Sequence, residues 1–334
     1  MDFPQIPLEA APMKRAHGGA SDRSVLDFSS NVNPLGPPES VLKVLEGGAN
    51  LIARYPSPGA DDFCAAIGEY FEIPRANVLA GNGASDLIYL ITRLFAGKCA
   101  QVLTPAFTEY EDALEAAGIP VNEGEPGVTF LANPSSPEGR LTPASEILRR
   151  PGPLVVDESF MDFAGERESL LARAATDSRL IVLRSMTKFY AMPGLRLGYL
   201  ISSTETVARL RRLQPPWSVN ALAAAAGIAA LADRDYARRT LELVPKLRAD
   251  LACGLGNLGL HPLPSEANFI LCRVPDAALI CRELLECGIA ARNCDSFTGL
   301  EKNRYVRFAV RVAADNERLL SALKGIQREC LINR

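Results

Sequence analysis

The sequence predicts an α/β protein, in which a large domain with a mostly parallel sheet flanked by helices precedes a small α+β domain. Short apolar runs bounded by Pro, Gly, Asp or Ser recur between segments of helical length. Such runs are typical of buried parallel strands, and the segments between them are long enough for crossover helices. Past about residue 219 the pattern changes to long helices with isolated strands, which indicates a second domain. The 334 residues are enough for one large and one smaller domain.

The elements follow in chain order. Residues 1–40 are Pro-rich, contain Gly and show little periodicity, so we expect an irregular N-terminal arm there. Residues 85–95 follow a Gly-rich turn and place Leu, Ile and Phe side chains on one broad helical face. Strands are predicted at 101–104, 128–132, 154–156, 180–183, 197–201, 268–273 and 305–310. Further helices are predicted at 219–231, 235–255, 277–287 and 315–328. We therefore expect the arm over 1–40, the large domain over 41–220 and the small domain over 221–334.

Composition argues against several classes of function. The chain is 48% hydrophobic and 22% charged, with a net charge of −3, whereas a nucleic-acid partner would favour a basic face. The first residues contain no apolar run of signal-peptide length, and no stretch approaches the length of a membrane span. We therefore expect a cytoplasmic protein without a nucleic-acid or membrane partner.

Cysteine and histidine usage points away from metal and serine-hydrolase chemistry. The eight cysteines form no Cys-x-x-Cys pair, and we expect mostly buried thiols in a reducing compartment. The two histidines, His17 and His261, are too few for a His-rich metal site or a typical serine-hydrolase arrangement. No metal site is expected, and an organic cofactor is the natural source of demanding chemistry.

The segment Ser-Met-Thr-Lys at 185–188 directly follows one of the apolar runs. A lysine at the end of a buried strand is costly unless it has a chemical role, and the amine of Lys188 would form an imine with an aldehyde cofactor. Ser185 and Arg196 would suit a phosphate, as a hydroxyl donor and a two-pronged cation. A strand-end lysine that stands alone is more often a solvated surface residue.

Asp157 ends the apolar run 154–156, where its charge needs a cationic partner. A protonated pyridine nitrogen would serve, and this pairing keeps a pyridine ring an electron sink. A helix N-cap or turn is the commoner explanation of an aspartate that stands alone.

Three further motifs are weaker by themselves. Asn133, in an Asn-Pro pair after a predicted strand, would donate to a phenolate oxygen on a cofactor ring. Small residues at the helix start, Gly83, Ala84 and Ser85, would let backbone N–H groups approach an anion. Phe107 would stack on a flat ring. Each motif has a simpler structural explanation: a Pro/Gly turn for the Asn-Pro pair, a common Gly-rich turn for the helix start, and core packing for the aromatic residue.

Five motifs follow one another along the chain: a Gly-rich helix start, an aromatic residue, Asn-Pro, a strand-end Asp, and Ser-x-x-Lys with a later Arg. This ordered set resembles the fold type I enzymes. These are the pyridoxal-phosphate (PLP) enzymes of the aspartate aminotransferase superfamily. The resemblance extends over essentially the whole chain. It implies the PLP-dependent transferase fold type I, PLP as the cofactor, and a homodimer with shared active sites to which the N-terminal arm contributes.

The resemblance also implies a role for each motif residue. Lys188 resembles the catalytic Schiff-base lysine, Asp157 the partner of the pyridine nitrogen, Asn133 the donor to the ring oxygen, and Phe107 the stacking aromatic. The phosphate would be held by Gly83, Ala84, Ser85, Ser185 and Arg196.

Other residues would bind the substrate or contact the cofactor of the partner subunit. Tyr55 resembles the tyrosine that reaches the phosphate of the neighbouring subunit's cofactor. Arg307 resembles the arginine that grips the substrate's α-carboxylate. Further substrate-binding candidates are His17, Asn33, Arg292 and Arg311.

Within the superfamily, the chain is similar to the threonine-phosphate decarboxylases of cobalamin synthesis and to the histidinol-phosphate aminotransferases. Both groups share the Asn-Pro-Leu-Gly segment at 33–36. Phe160 replaces the tyrosine with which related aminotransferases commonly contact the ring oxygen, and this favours the decarboxylases. The segments 17–19, 27–34, 216–220, 292–297 and 307–311 favour them too.

The resemblance to the decarboxylases implies conversion of L-threonine O-3-phosphate to (R)-1-amino-2-propanol O-2-phosphate and CO2. The bond that breaks on PLP is the one held perpendicular to the ring, so the groups that orient the carboxylate choose between loss of CO2 and transamination. Three alternatives stay open: a histidinol-phosphate-type aminotransferase, serine phosphate as the substrate, and a non-catalytic PLP-fold binding protein. The last usually carries a DNA-binding extension, which is not visible here.

Overall fold

The computed structural model describes residues 18–20, 22, 24–122 and 125–332, with side chains up to residue 326. The strands are β1 Leu26–Asp27, β2 Val78–Gly81, β3 Ala100–Val102, β4 Val128–Ala132, β5 Leu154–Asp157, β6 Leu180–Ser185, β7 Gly198–Ser202, β8 His261–Pro262, β9 Phe269–Arg273, β10 Ile289–Ala290, β11 Arg292–Asn293 and β12 Tyr305–Ala309. The helices are α1 Glu39–Gly47, α2 Asp61–Phe71, α3 Ala84–Thr92, α4 Glu109–Ala116, α5 Ala144–Ile147, α6 Met161–Ala164, α7 Leu171–Ala174, α8 Met186–Phe189, α9 Thr204–Leu213, α10 Ala221–Ala232, α11 Arg234–Asn257, α12 Ala277–Glu286 and α13 Ala313–Ile332.

The large sheet has the strand order β2-β7-β6-β5-β4-β3. Its strands β3, β4, β5 and β6 are parallel, whereas β7 is antiparallel to both of its neighbours. The apolar runs of β4, β5 and β6 are buried because helices cover both faces of the sheet. The predicted mostly parallel sheet with flanking helices is confirmed. Strand β2 was not predicted, since its four residues are too few to show a period.

The small sheet is antiparallel, with the order β11-β12-β9-β8. Its register places Arg292 opposite Arg307, so two arginines that are distant in sequence become neighbours. Strand β1 pairs in parallel with β10, which joins the N-terminal segment to this part of the chain.

Helix α10 packs against the large domain, although the predicted boundary placed it in the small one. A side chain at Gly227 would collide with Leu197 and Phe63, both of which belong to the large-domain core. The small glycine lets this Ala-rich helix lie close against that core. We therefore propose that the small domain begins after α10.

The described cysteines are free thiols of mixed exposure. Cys64, Cys272 and Cys294 are buried, whereas Cys253 and Cys287 are exposed, so the prediction of mostly buried thiols holds only in part. None of the helices in the described part of the chain combines the length and apolar character that a membrane crossing requires.

Candidate active site

A cavity of about 490 Å³ opens where β4, β5 and β6 end. Ala132, Asp157 and Ser185 are the last residues of these strands, and all three line the cavity. Parallel strands that end at one edge of a sheet bring the residues that follow them together. The remaining walls come from the start of α3, residues 107–110, residues 29–31 and the small domain.

Lys188 lies in the short helix α8, which Ser185 caps by accepting a hydrogen bond from the Thr187 N–H. Burial, together with the charges of Arg307 and Arg196, lowers the pKa of Lys188 to about 8, and the charge of Asp157 opposes this shift. No carboxylate of the described residues lies within ion-pair distance of its Nζ. The amine is thus poised to act as a nucleophile near neutral pH.

This pKa predicts how the apo-protein takes up PLP. Because only the neutral amine attacks an aldehyde, the rate constant for PLP incorporation should rise about tenfold per pH unit below pH 8 and level off above it. Stopped-flow absorbance at several pH values measures this rate. Arg307→Met should move the midpoint upward, whereas Lys43→Ala, which alters an exposed lysine paired with Glu39, should not. A rate that is independent of pH between 6 and 10 would contradict the depressed pKa.

Asp157 is buried, and two hydrogen bonds hold its carboxylate. Oδ2 accepts a bond of 2.6 Å from the Tyr110 hydroxyl, and Oδ1 accepts one of 2.9 Å from the Ser159 N–H. The carboxylate lines the cavity with a fixed orientation, where it could pair with a cationic ring nitrogen.

A candidate anion site lies in the cavity wall around the N-terminus of α3. Ala84 and Ser85 line it together with Ser185, Thr187 and Arg196. The hydroxyls of Ser185 and Thr187 are 2.7 Å apart and buried. Backbone N–H groups at the start of a helix, hydroxyls and a guanidinium together form a typical phosphate site.

Gly83 is needed for this anion site to form. Its φ is +86°, and a Cβ there would lie 2.6 Å from Nη2 of Arg196. Any side chain would therefore displace the guanidinium as well as strain the backbone. Gly83 does not itself line the cavity but lets Arg196 approach it.

Arg307 and Arg292 line the small-domain side of the cavity. Arg307 is buried between the rings of Phe269 and Phe297, and its Nη atoms donate long bonds to the Ser136 hydroxyl and the Ser29 carbonyl. Within the described part of the chain, no carboxylate forms an ion pair with Arg307, and its Nε has no hydrogen-bond partner. Burial lowers the pKa of Arg307 to about 10, and the charge of Arg292 acts in the same direction.

Burying a guanidinium without an ion-pair partner costs free energy unless a bound anion pairs with it. Arg292 donates a hydrogen bond of 2.8 Å to Ser296 and faces the same cavity. The two arginines are therefore suited to bind the acidic groups of a small molecule.

Two residues predicted to bind substrate form hydrogen bonds within the protein instead of lining the cavity. Asn33 uses both amide hydrogens on the Phe189 carbonyl and the Thr240 hydroxyl, and its Oδ1 accepts the Leu35 N–H. It does not line the cavity but fastens the N-terminal segment to the end of α8. Its substrate-binding role stays a prediction, which its place outside the cavity lining does not favour.

The substrate-binding role of Arg311 also stays a prediction, and its present contacts do not favour it. Its Nε donates to Asp315 at 2.9 Å, and its Nη1 donates to the Asp27 carbonyl. The residue does not line the cavity, and its charge is already compensated.

Three other predicted positions lie outside the cavity or outside the described residues. Asn133 is buried and exchanges two hydrogen bonds with the backbone of Thr142, which leaves one amide hydrogen for its predicted role. Tyr55 is 84% exposed and packs against Trp217, with ring centroids 5.0 Å apart. His17 lies outside the described residues. The roles of all three stay predictions.

The arrangement fits a flat aldehyde cofactor that carries a phosphate. The cavity presents an amine at Lys188, a buried carboxylate at Asp157, an aromatic wall at Phe107 and the anion site around Arg196. Few ligands besides PLP need all four features together.

Comparison with protein families agrees with this geometry. Residues 23–127 and 121–324 match the family described as aminotransferase class I and II. The chain belongs to this family. It is an enzyme of the PLP-dependent aminotransferase-like superfamily, as its motifs predict.

Relatives of this aminotransferase-family enzyme divide between two activities. It is 35% identical to the threonine-phosphate decarboxylase of Salmonella typhimurium, over 92% of this chain and 93% of the relative. It is 34% identical to the histidinol-phosphate aminotransferase of Nitratidesulfovibrio vulgaris, over 98% of this chain and 95% of the relative. Among solved structures, the histidinol-phosphate aminotransferase from Clostridium acetobutylicum superposes with a TM-score of 0.85 at 29% identity, covering 91% of this chain and 100% of that one.

The sequence motifs of this family member did not reveal Tyr110, Thr187 or Ser136 as cavity residues. Tyr110 has the helical spacing of a core residue, and only its hydroxyl distinguishes it from one. Thr187 was visible inside the Ser-x-x-Lys motif, where a second hydroxyl beside Ser185 is the signal that could have identified it.

Proposed function

We propose that this enzyme decarboxylates L-threonine O-3-phosphate to (R)-1-amino-2-propanol O-2-phosphate and CO2, as a step of cobalamin biosynthesis. The main support is the pair Arg292 and Arg307, two buried arginines that face one cavity beside the separate anion site of the cofactor phosphate. A substrate with both a carboxylate and a phosphate needs two cations beyond those that hold the cofactor.

The two arginines are proposed to divide the anions between them. Arg307 affects the pKa of Lys188 more strongly than any other charge, so it lies near the amine and would hold the α-carboxylate. Arg292 then remains for the substrate phosphate. A two-pronged contact from Arg307 fixes the plane of the carboxylate and hence the direction of the bond to Cα.

Bound PLP supplies an electron sink for the electron pair that the breaking bond leaves on Cα. The residues of this chain orient the substrate and the cofactor and supply the proton. Arg307 orients the carboxylate, Asp157 pairs with the ring nitrogen, and Nζ of Lys188 donates a proton to Cα after CO2 has left. A pKa of about 8 lets Lys188 carry that proton near neutral pH and release it readily.

The wall beside the substrate also favours decarboxylation. Phe160 lines the cavity and packs edge-on against Phe269, with centroids 4.9 Å apart, and Phe269 in turn lies under Arg307. An apolar ring at position 160 offers no hydroxyl to the cofactor oxygen and supports the aromatic residue on which Arg307 rests.

The proposal predicts release of one CO2 per L-threonine O-3-phosphate consumed, without any keto acid. The control supplies histidinol phosphate and 2-oxoglutarate to the same holoenzyme, and glutamate formation is measured. No CO2 in the first assay together with glutamate in the second would overturn the proposal and favour the aminotransferase. O-phosphoserine, which lacks one methyl group, tests the alternative substrate, for which a difference of about 10–200-fold is the expected scale.

We further propose that the enzyme is a cytoplasmic homodimer with shared active sites. Tyr55 packs against Trp217, and the two rings are 84% and 48% exposed, while Ile52, three residues before Tyr55, is 73% exposed. Such exposed apolar side chains favour a protein partner, and a second copy would place Tyr55 near the partner's cofactor phosphate. A monomeric mass by sedimentation equilibrium would contradict the dimer.

A further inference from the structure

Tyr110 connects two walls of the cavity. Its ring is buried at the start of α4 and meets the edge of Phe107, with centroids 5.8 Å apart. Its hydroxyl donates to Oδ2 of Asp157 at 2.6 Å. Burial and the neighbouring Asp157 charge raise the pKa of Tyr110 well above its usual value, so the hydroxyl keeps its proton and acts as the donor.

Packing alone does not explain a tyrosine at this position. A buried hydroxyl costs free energy unless it is hydrogen-bonded, and phenylalanine would fill the same space without that cost. The bond that compensates Tyr110 goes to the carboxylate that faces the cofactor site.

The two bonds to Asp157 also define the plane of its carboxylate. Ser159 N–H holds Oδ1 from the backbone of the same loop, whereas Tyr110 holds Oδ2 from a different helix. Without the second bond the carboxylate could rotate about its last single bond. With both bonds, the plane of a carboxylate that lines the cavity is fixed.

We propose that Tyr110 is a positioning residue that orients Asp157 toward the ring nitrogen of PLP and so tunes the bound cofactor. The proposal rests on the PLP dependence of the family and is independent of whether the substrate is threonine phosphate. It therefore survives or fails separately from the proposed decarboxylation.

The test compares Tyr110→Phe with Tyr199→Phe. Tyr199 is also a buried tyrosine of the large domain, on β7 and away from the cavity lining, so it controls for loss of a buried hydroxyl. We expect Tyr110→Phe to weaken PLP binding by the apo-protein about 10-fold, which is the scale for removing a supporting hydrogen bond behind a ligand. It should also shift the midpoint of the pH titration of the visible cofactor band. Tyr199→Phe should change neither quantity.

A second pair of variants establishes whether Tyr110 acts through Asp157. In an Asp157→Asn background, Tyr110→Phe should change PLP affinity less than about twofold, because coupled residues are not additive. Full additivity of the two substitutions would overturn the proposal. It would also be overturned if Tyr110→Phe matched Tyr199→Phe in both PLP affinity and the cofactor titration, with any difference limited to the unfolding temperature of the apo-protein.

Discussion

Lys188→Ala should remove the visible absorbance band of lysine-linked PLP and lower kcat by at least about 10²–10⁴-fold, the range for losing a positioned proton donor. The variant loses both the amine that attaches the cofactor and the acid that returns a proton to Cα. Absorbance spectroscopy and a CO2-release assay measure the two losses. PLP should still bind reversibly, because the anion site around Ser185 and Arg196 is intact.

Lys43→Ala is the matched control for this prediction. Lys43 is exposed on α1, is paired with Glu39 at 2.8 Å and does not line the cavity. Reduction of the wild-type holoenzyme with borohydride, followed by peptide mass spectrometry, should place PLP on Lys188. A reducible adduct that persists in Lys188→Ala would contradict the assignment.

Arg307→Met should lower kcat/KM for the phosphorylated amino acid by about 10²–10³-fold, since a two-pronged contact between buried charges is worth roughly 3–4 kcal/mol. The guanidinium faces the cavity, and no described carboxylate compensates its charge. Arg307→Lys should recover only part of the loss, because an ammonium cannot make the two parallel bonds that fix a carboxylate plane.

Arg311→Met provides the contrast, because Arg311 lies on the same side of the small domain but already pairs with Asp315. Its kcat/KM should stay within about threefold of wild type, the scale of a surface ion pair. PLP affinity, measured in parallel, should stay near wild type in both variants. Equal losses of kcat/KM in the two variants would contradict the division of roles between these arginines.

The parts of the site that sequence predicts best are those where a costly side chain follows an apolar strand. Lys188 and Asp157 stand out because burying either charge needs a chemical reason, and their strands are visible as short apolar runs. Gly83 also has a physical reason for its residue type, because its positive φ and the close approach of Arg196 both require a glycine.

Sequence could not show which polar groups are already engaged. Asn33 looked available, yet three backbone and side-chain partners use its amide. The ion pair of Arg311 could have been anticipated, because Asp315 stands four residues later, a spacing that suits an ion pair. The role of Tyr110 can be identified only from the tertiary structure, because nothing in the local sequence indicates that its hydroxyl contacts Asp157, 47 residues away.

The pairing of Arg292 with Arg307 also depends on tertiary structure. The register of β11 against β12 brings the two guanidinium groups to one cavity, and a shift of one residue would point one of them away. Both residues are visible as candidates in the sequence, but only the sheet explains why they act as a pair.

The reaction of L-threonine O-3-phosphate in D2O, followed by ¹H and ³¹P NMR, tests the central claim most directly. If Arg307 directs the carboxylate bond for cleavage and Lys188 returns a solvent-derived proton to Cα, the product is 1-amino-2-propanol O-2-phosphate with one deuterium on the amino-bearing carbon. Recovery of threonine phosphate whose α-proton has exchanged for deuterium, without CO2 and without that amine, would contradict the account.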